Sequence, residues 1–222
     1  MKIVCTGTAK QQEELRAKLN DVVISFCNVD EFIAANLQDF DLIIDLDFDA
    51  DPITKAKRFE NVSEKIIILG ATQTNLYTHF SNPIAIGSKN YILGMNNLTG
   101  FINKPIWEMT ALNNDSSDKW NTIAQELKLD YKIVDDRVGM VTPRIICMII
   151  NEAYYTVQEG TANKSDIDTA MKLGTSYPFG PFEWANIIGL KNVYHVLAAV
   201  YNDTKDERYK ICPMLKREAS VS

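Results

Sequence analysis

The feature that most constrains this chain is a change of pattern part-way along it. Up to residue 134, short apolar runs of strand length alternate with polar segments of helical spacing. From Asp135 onwards the alternation stops and only helical patterns follow. In the first part, Ile3-Val4-Cys5, Val22 to Phe26, Asp41 to Leu46 and Lys65 to Leu69 read as strands. Between them, Lys10 to Leu19, a segment capped by Asp30 and running to Leu37, and a short stretch opened by Asp51-Pro52 read as helices. Ile106 to Leu112 reads as a further strand, Asp115-Ser116-Ser117 as the cap of a helix through Leu127, and Tyr131 to Val134 as the last strand. Thr72 to Asn97 is rich in Thr, Asn, Ser and Gly and is left unassigned. Strands separated by helices imply a parallel sheet with helical crossovers, a small Rossmann-like domain.

The second part opens with Thr142 as a helix cap and Pro143 at the first helical position. Ile145, Ile146, Ile149, Ile150 and Ala153 then line one side of a long helix that ends near Gly160. Ser165 with Asp168 reads as a capping-box start, Gly174 as the stop, Trp184 to Tyr201 as another helix, and the rest as a polar tail. The expected domains are therefore 1–134 and 135–222, α/β followed by all-α.

Composition excludes several classes. A net charge of −6 lacks the basic face of a general nucleic-acid binder. Cys5, Cys27, Cys147 and Cys212 lie far apart with no CxxC pair, which is neither a zinc pattern nor a disulfide scaffold. No apolar run reaches the roughly 18 residues of a membrane span. Met1-Lys2-Ile3-Val4-Cys5 runs straight into a polar helix, with no signal-peptide pattern. A cytoplasmic protein without metal, membrane or nucleic-acid partner is expected.

One long motif is specific. Asp166-Ile167-Asp168-Thr169-Ala170-Met171-Lys172-Leu173-Gly174, continuing through Pro178-Phe179-Gly180-Pro181-Phe182-Glu183-Trp184 to Gly189-Leu190, resembles a run of the 3-hydroxyacyl-CoA dehydrogenase family, DIDxAMKLGxxxPMGPFEL followed by Gly-Leu. Phe179 and Trp184 are its conspicuous departures. The resemblance is strong from Asp135 to Leu190 and traceable in order of elements before that. It implies a shortened NAD-binding Rossmann-like domain and an all-α helical domain of the 6-phosphogluconate-dehydrogenase C-terminal type, which dimerises. It also implies an acyl-CoA-type substrate and a place in fatty acid metabolism.

The family's site residues transfer unevenly. A dinucleotide turn needs G-x-G-x-x-G so that the backbone can approach a pyrophosphate at the helix N-terminus. Cys5-Thr6-Gly7-Thr8-Ala9-Lys10 keeps only Gly7. The acidic residue expected at the end of the second strand is replaced by Cys27-Asn28. The family's catalytic histidine, oriented by a glutamate about a dozen residues later, can be placed in two registers. His79-Phe80-Ser81-Asn82-Pro83 resembles the family's HFFNP but stands 29 residues before Glu108. Alternatively Gly94-Met95-Asn96 takes the place of Gly-Leu-His, with Glu108 at the required spacing of 12 and Thr74 at the family's serine. The second register is favoured, and it makes the base Asn96, which cannot take a proton near neutral pH. The substrate-binding asparagine falls at Pro143-Arg144 in both. A divergent relative with reduced or lost NAD-dependent oxidation is expected. The alternatives are an active enzyme using His79 and Glu108, and a non-catalytic structural or regulatory dimer.

Overall fold

The structure, a computed structural model, describes residues 1–80 and 90–221. It comprises two compact units, Met1–Met140 and Val141–Ser222. Among the described residues no helix is long and apolar enough to cross a membrane.

The first unit is built on a sheet of seven strands among the described residues: β1 (Ile3–Thr6), β2 (Ile24–Cys27), β3 (Leu42–Asp45), β4 (Ile66–Gly70), β5 (Tyr91–Met95), β6 (Ile106–Ala111) and β7 (Asp130–Ile133). Their order is β2-β1-β3-β4-β5-β6-β7. The first five run parallel, β6 turns antiparallel to β5, and β7 is parallel to β6. The helices are α1 (Ala9–Lys18), α2 (Val29–Ala34), α3 (Pro52–Arg58), α4 (Leu76–Phe80) and α5 (Asn114–Glu126). The central strands are continuous apolar runs because both faces are covered. Alternate residues feed two separate cores, one containing Cys5, Ile44, Ile68, Trp107 and Trp120, the other Val4, Ile43, Ile67, Phe48 and Phe80.

This confirms the Rossmann-like α/β class, with a difference in topology. The usual dinucleotide order is 3-2-1-4-5-6. In this chain β2 is the edge strand, and α2 returns the chain directly to β3 on the other side of β1. The switch point, where the winding direction reverses, lies between β1 and β3.

Several local readings are corrected. The stretch left unassigned contains α4 and β5. The α2 cap is Asn28, whose side chain accepts from Glu31 N, while Asp30 sits in the first turn. The first unit also continues past residue 134. The Asp136 carboxylate accepts from Leu76 N and Tyr77 N, both at 2.9 Å, and Gly139 N donates to Thr72 O at 2.9 Å.

The second unit holds α6 (Thr142–Gln158), α7 (Lys164–Thr175), α8 (Pro181–Ile188), α9 (Leu190–Thr204) and α10 (Pro213–Ala219). Its core gathers Cys147, Ile150 and Tyr154 from α6, Phe182, Trp184 and Ile188 from α8, and Val193, Val196 and Leu197 from α9. Ile145, expected on the inner side of α6, is exposed. The α6 cap position is Val141 and not Thr142, and α7 is capped by Asn163 and not Ser165. Gly174 lies within α7, which ends at Ser176 in a left-handed conformation, φ 57°. The single helix expected from Trp184 to Tyr201 is two, broken at Gly189 with φ 88°. The expected polar tail carries α10, which buries Leu215 and Ala219.

The long motif is an interlock of α7 with α8. Asp168 on α7 accepts from Phe182 N at 2.8 Å and Glu183 N at 3.2 Å, satisfying first-turn amides of α8. Glu183 folds back to accept from Gly180 N at 2.9 Å and pairs with Lys172. Pro181 occupies the start of α8, where its missing N–H is no loss.

Candidate functional site

In open α/β sheets ligands enter the crevice outside the carboxyl ends of the strands at the switch point. In this unit that crevice is bounded by Gly7 after β1, Cys27 at the end of β2, Leu46 after β3 and Asn97 after β5. The first turn of α1 supplies Gln11 and Gln12. Gln11 is buried; its Oε1 accepts from Thr8 N at 2.9 Å and faces Thr8 Oγ1 at 3.0 Å. Its Nε2 donates to Leu46 O at 3.3 Å and Asn97 O at 2.8 Å. Gln12 Nε2 donates to Gly7 O at 3.0 Å and Cys27 O at 2.9 Å. A Cβ on Gly7 would meet Leu46 Cβ at 2.9 Å and Gln11 Oε1 at 3.1 Å, so the glycine makes room for the protein's own side chains. Cys5, at the position of the first family glycine, is buried in the core, and burial pushes its thiol up. Lys10 is exposed.

The neighbouring loops are tied together too. Asn97 Nδ2 donates to Leu46 O at 2.9 Å, and its Oδ1 accepts from Thr72 Oγ1 at 2.8 Å. Asp49 accepts from Thr72 N at 2.8 Å and Gln73 N at 3.0 Å, and burial pushes its carboxyl up to about 6 against these bonds. At the end of β3, buried Asp45 pairs with Lys55 at 3.2 Å; its carboxyl is raised by burial, which Lys55 partly offsets. A pyrophosphate and a ribose need convergent N–H donors and a carboxylate. These residues present carbonyls already bonded to glutamine and a carboxylate already bonded to lysine, and they do not fit a dinucleotide.

The other expected site residues form two pairs. His79, on α4, has Nε2 at 2.7 Å from Thr74 Oγ1 and its ring edge-on to Phe48, centroids 5.8 Å apart. Burial lowers the His79 pKa, and the Asp136 charge partly restores it. Ser81-Asn82-Pro83 lie outside the described residues. Asn96 follows β5 and is buried; its backbone N donates to Glu108 O on β6 at 3.0 Å, and its Oδ1 accepts from Leu98 N at 3.2 Å. The pairing of Met95 with Met109 sets this register. Glu108 is half-buried. Pro143 is buried in α6, and Arg144 is held by Tyr209, with Nη1 at 3.2 Å from its hydroxyl. The second unit also has a cavity of about 470 Å³, where Lys164 lies over Tyr154 and Phe182 and pairs with Glu218 at 2.7 Å.

Residues 139–220 match the family described as 3-hydroxyacyl-CoA dehydrogenase, C-terminal domain. The 3-hydroxybutyryl-CoA dehydrogenase of Clostridioides difficile is 27% identical over 97% of this chain and 76% of its own length. The chain is thus similar to 3-hydroxyacyl-CoA dehydrogenases, most strongly over residues 139–220. The 3-hydroxyadipyl-CoA dehydrogenase of Escherichia coli K12 is 40% identical over 86 residues, 39% of this chain but only 18% of the relative. Matches to the Bradyrhizobium diazoefficiens and Bacillus subtilis relatives likewise span 28% and 29% of those chains, so the chain covers under a third of these relatives' length. Among solved structures, Mycobacterium tuberculosis FadB2 superposes with a TM-score of 0.78 at 14% identity, covering 99% of this chain and 93% of that one. The (S)-3-hydroxybutyryl-CoA dehydrogenase PaaH1 of Ralstonia eutropha gives 0.73 at 17% identity, covering 99% and 93%. These two likenesses show the fold.

Sequence reasoning missed Gln11 and Gln12. The available signal was two adjacent amides in the first turn after a broken glycine turn, where a dinucleotide site has no need of them.

Proposed function

We propose that this chain is a divergent 3-hydroxyacyl-CoA dehydrogenase relative that no longer carries out NAD-dependent oxidation of 3-hydroxyacyl-CoA. Its helical unit is kept as a homodimer module that holds an acyl-CoA-type ligand, in the cytoplasm. The observation that carries this reading is Asn96, joined to Glu108 through the β5–β6 backbone at the 12-residue spacing the family motif requires. Hydride can leave carbon 3 only as a base takes the hydroxyl proton. A carboxamide has no basic lone pair at neutral pH, so position 96 offers Glu108 an amide where the family motif has an imidazole. The four free cysteines suit a reducing compartment. The test is acetoacetyl-CoA with NADH, followed by NADH loss. No turnover above the uncatalysed rate is expected; steady turnover would sink the reading.

The Thr74–His79 contact favours a second reading, in which a relocated histidine serves as base beside the hydroxyl. Burial keeps His79 neutral near pH 7, the form a base needs. It requires turnover that His79→Ala abolishes and Glu108→Gln leaves intact.

A further inference from the structure

We infer, building on the loss of oxidation proposed above, that Gln11 and Gln12 form an internal clasp that fills the switch-point crevice and closes this unit to dinucleotides. From one helical turn, the two amides bridge the ends of four strands. Gln11 joins the loop after β1 to Leu46 after β3 and Asn97 after β5. Gln12 joins Gly7 to Cys27 at the end of β2.

The chemistry of the lining is inverted relative to a phosphate site. A phosphate brings acceptors and needs donors. The glutamine Nε2 groups would release the carbonyl oxygens of Gly7, Cys27, Leu46 and Asn97, and Gln11 Oε1 would release the N–H and hydroxyl of the single residue Thr8. The carbonyls are acceptors as well; Leu46 O keeps its bond from Asn97, but displacing the glutamines would strip the other three of these amide donors beside an anion that only Thr8 could meet with freed donors. Each such unsatisfied polar group is unfavourable, and the added charge is worse. Gly7 reinforces the clasp, since its missing Cβ is the space Gln11 and Leu46 occupy. Asn97 also holds the clasp from behind by bonding Leu46 O and Thr72.

The test is binding to the full chain, independent of turnover. NAD, NADH, NADPH and ADP-ribose, each at about 1 mM, are added during thermal unfolding and in equilibrium dialysis. A nucleotide with Kd near 10 μM would raise Tm by about 5–10 °C at that concentration. No rise and no retained nucleotide are expected; a rise with any of them overturns the clasp. The double variant Gln11→Ala with Gln12→Ala is expected to melt about 4–8 °C lower and to exchange the amides around Leu46 and Asn97 faster. An unchanged Tm and unchanged exchange overturn the clasp as well. Should that variant fail to fold, Gln12→Ala alone and the wild-type nucleotide titration decide. Nucleotide bound without turnover sinks the clasp and leaves the lost oxidation standing; turnover sinks both.

Discussion

Phe179 and Trp184, the two residues that depart from the family run, meet each other edge-to-face, ring centroids 4.9 Å apart at 74°. The departures are one change and not two. An edge-to-face aromatic pair contributes about 0.5–1.5 kcal/mol beyond its buried area. Replacing them by the family residues therefore gives a clear expectation for a double-mutant cycle. Phe179→Met and Trp184→Leu each destabilise, and the double variant loses less than the sum by about 1 kcal/mol. Urea unfolding of the four proteins measures this; strict additivity would show that the rings only happen to touch.

Asp168 and Gly180 form a second coupled pair. A Cβ on Gly180 would stand 2.3 Å from the Asp168 carboxylate that caps α8. Neither atom group can yield, because the carboxylate is fixed by two amides. Asp168→Ala is expected to cost about 1–2 kcal/mol, the value of a lost cap. Gly180→Ala should cost at least as much, since it displaces the same cap and adds a clash. Thermal melts check both, and a Gly180→Ala protein as stable as wild type would contradict the contact.

The legible parts of this fold were those whose cause is local. β1, β3 and β4 are apolar up to their last residues because both faces are buried, and their runs announce themselves. β5 was not legible, because Gly94 interrupts it. That glycine is there because a Cβ would lie 2.5 Å from Thr110 Oγ1 on β6, a contact between strands that no local pattern reports. The caps failed for a similar reason. Ser165 and Asp168 have the right spacing, but Asn163 closes α7 and Asp168 reaches 14 residues ahead to α8. At the candidate site, the spacing of Asn96 and Glu108 was readable as a motif. The clasp was not, because Gln11 meets Asn97 across 86 residues of chain.

His79 offers a spectroscopic prediction. Its ring is half-buried and hydrogen-bonded to Thr74, and the Asp136 charge is what opposes the effect of burial. Asp136→Asn can still accept at the start of α4 but removes that charge. The His79 pKa, already below its ordinary value, is expected to fall further in Asp136→Asn. An NMR titration of the ring proton reads this directly; an upward move would show that Asp136 does not act on the ring through its charge.

Asp49 makes the stability of the first unit depend on pH in an unusual direction. The Thr72 hydroxyl has one proton yet lies 2.8 Å from both Asp49 Oδ2 and Asn97 Oδ1. The Asn97 amide cannot turn, since its Nδ2 is bonded to Leu46 O. One more proton, on Asp49, lets the carboxyl donate to Thr72 and Thr72 donate to Asn97. Burial raises the folded carboxyl to about 6 from an ordinary value of 3.8. A pKa raised on folding means that the native state holds the proton more tightly. The resulting stabilisation is fully present below about 4 and is lost as pH rises through about 6. Half-buried His79, whose pKa is lowered, works in the opposite sense over an overlapping range, so the comparison must be differential. Asp49→Asn removes only the Asp49 contribution. Wild type is therefore expected to lose stability relative to Asp49→Asn by on the order of 2 kcal/mol between about pH 4.5 and 7.5. Urea unfolding of both proteins across that range tests it, and parallel pH profiles would show that Asp49 holds no such proton.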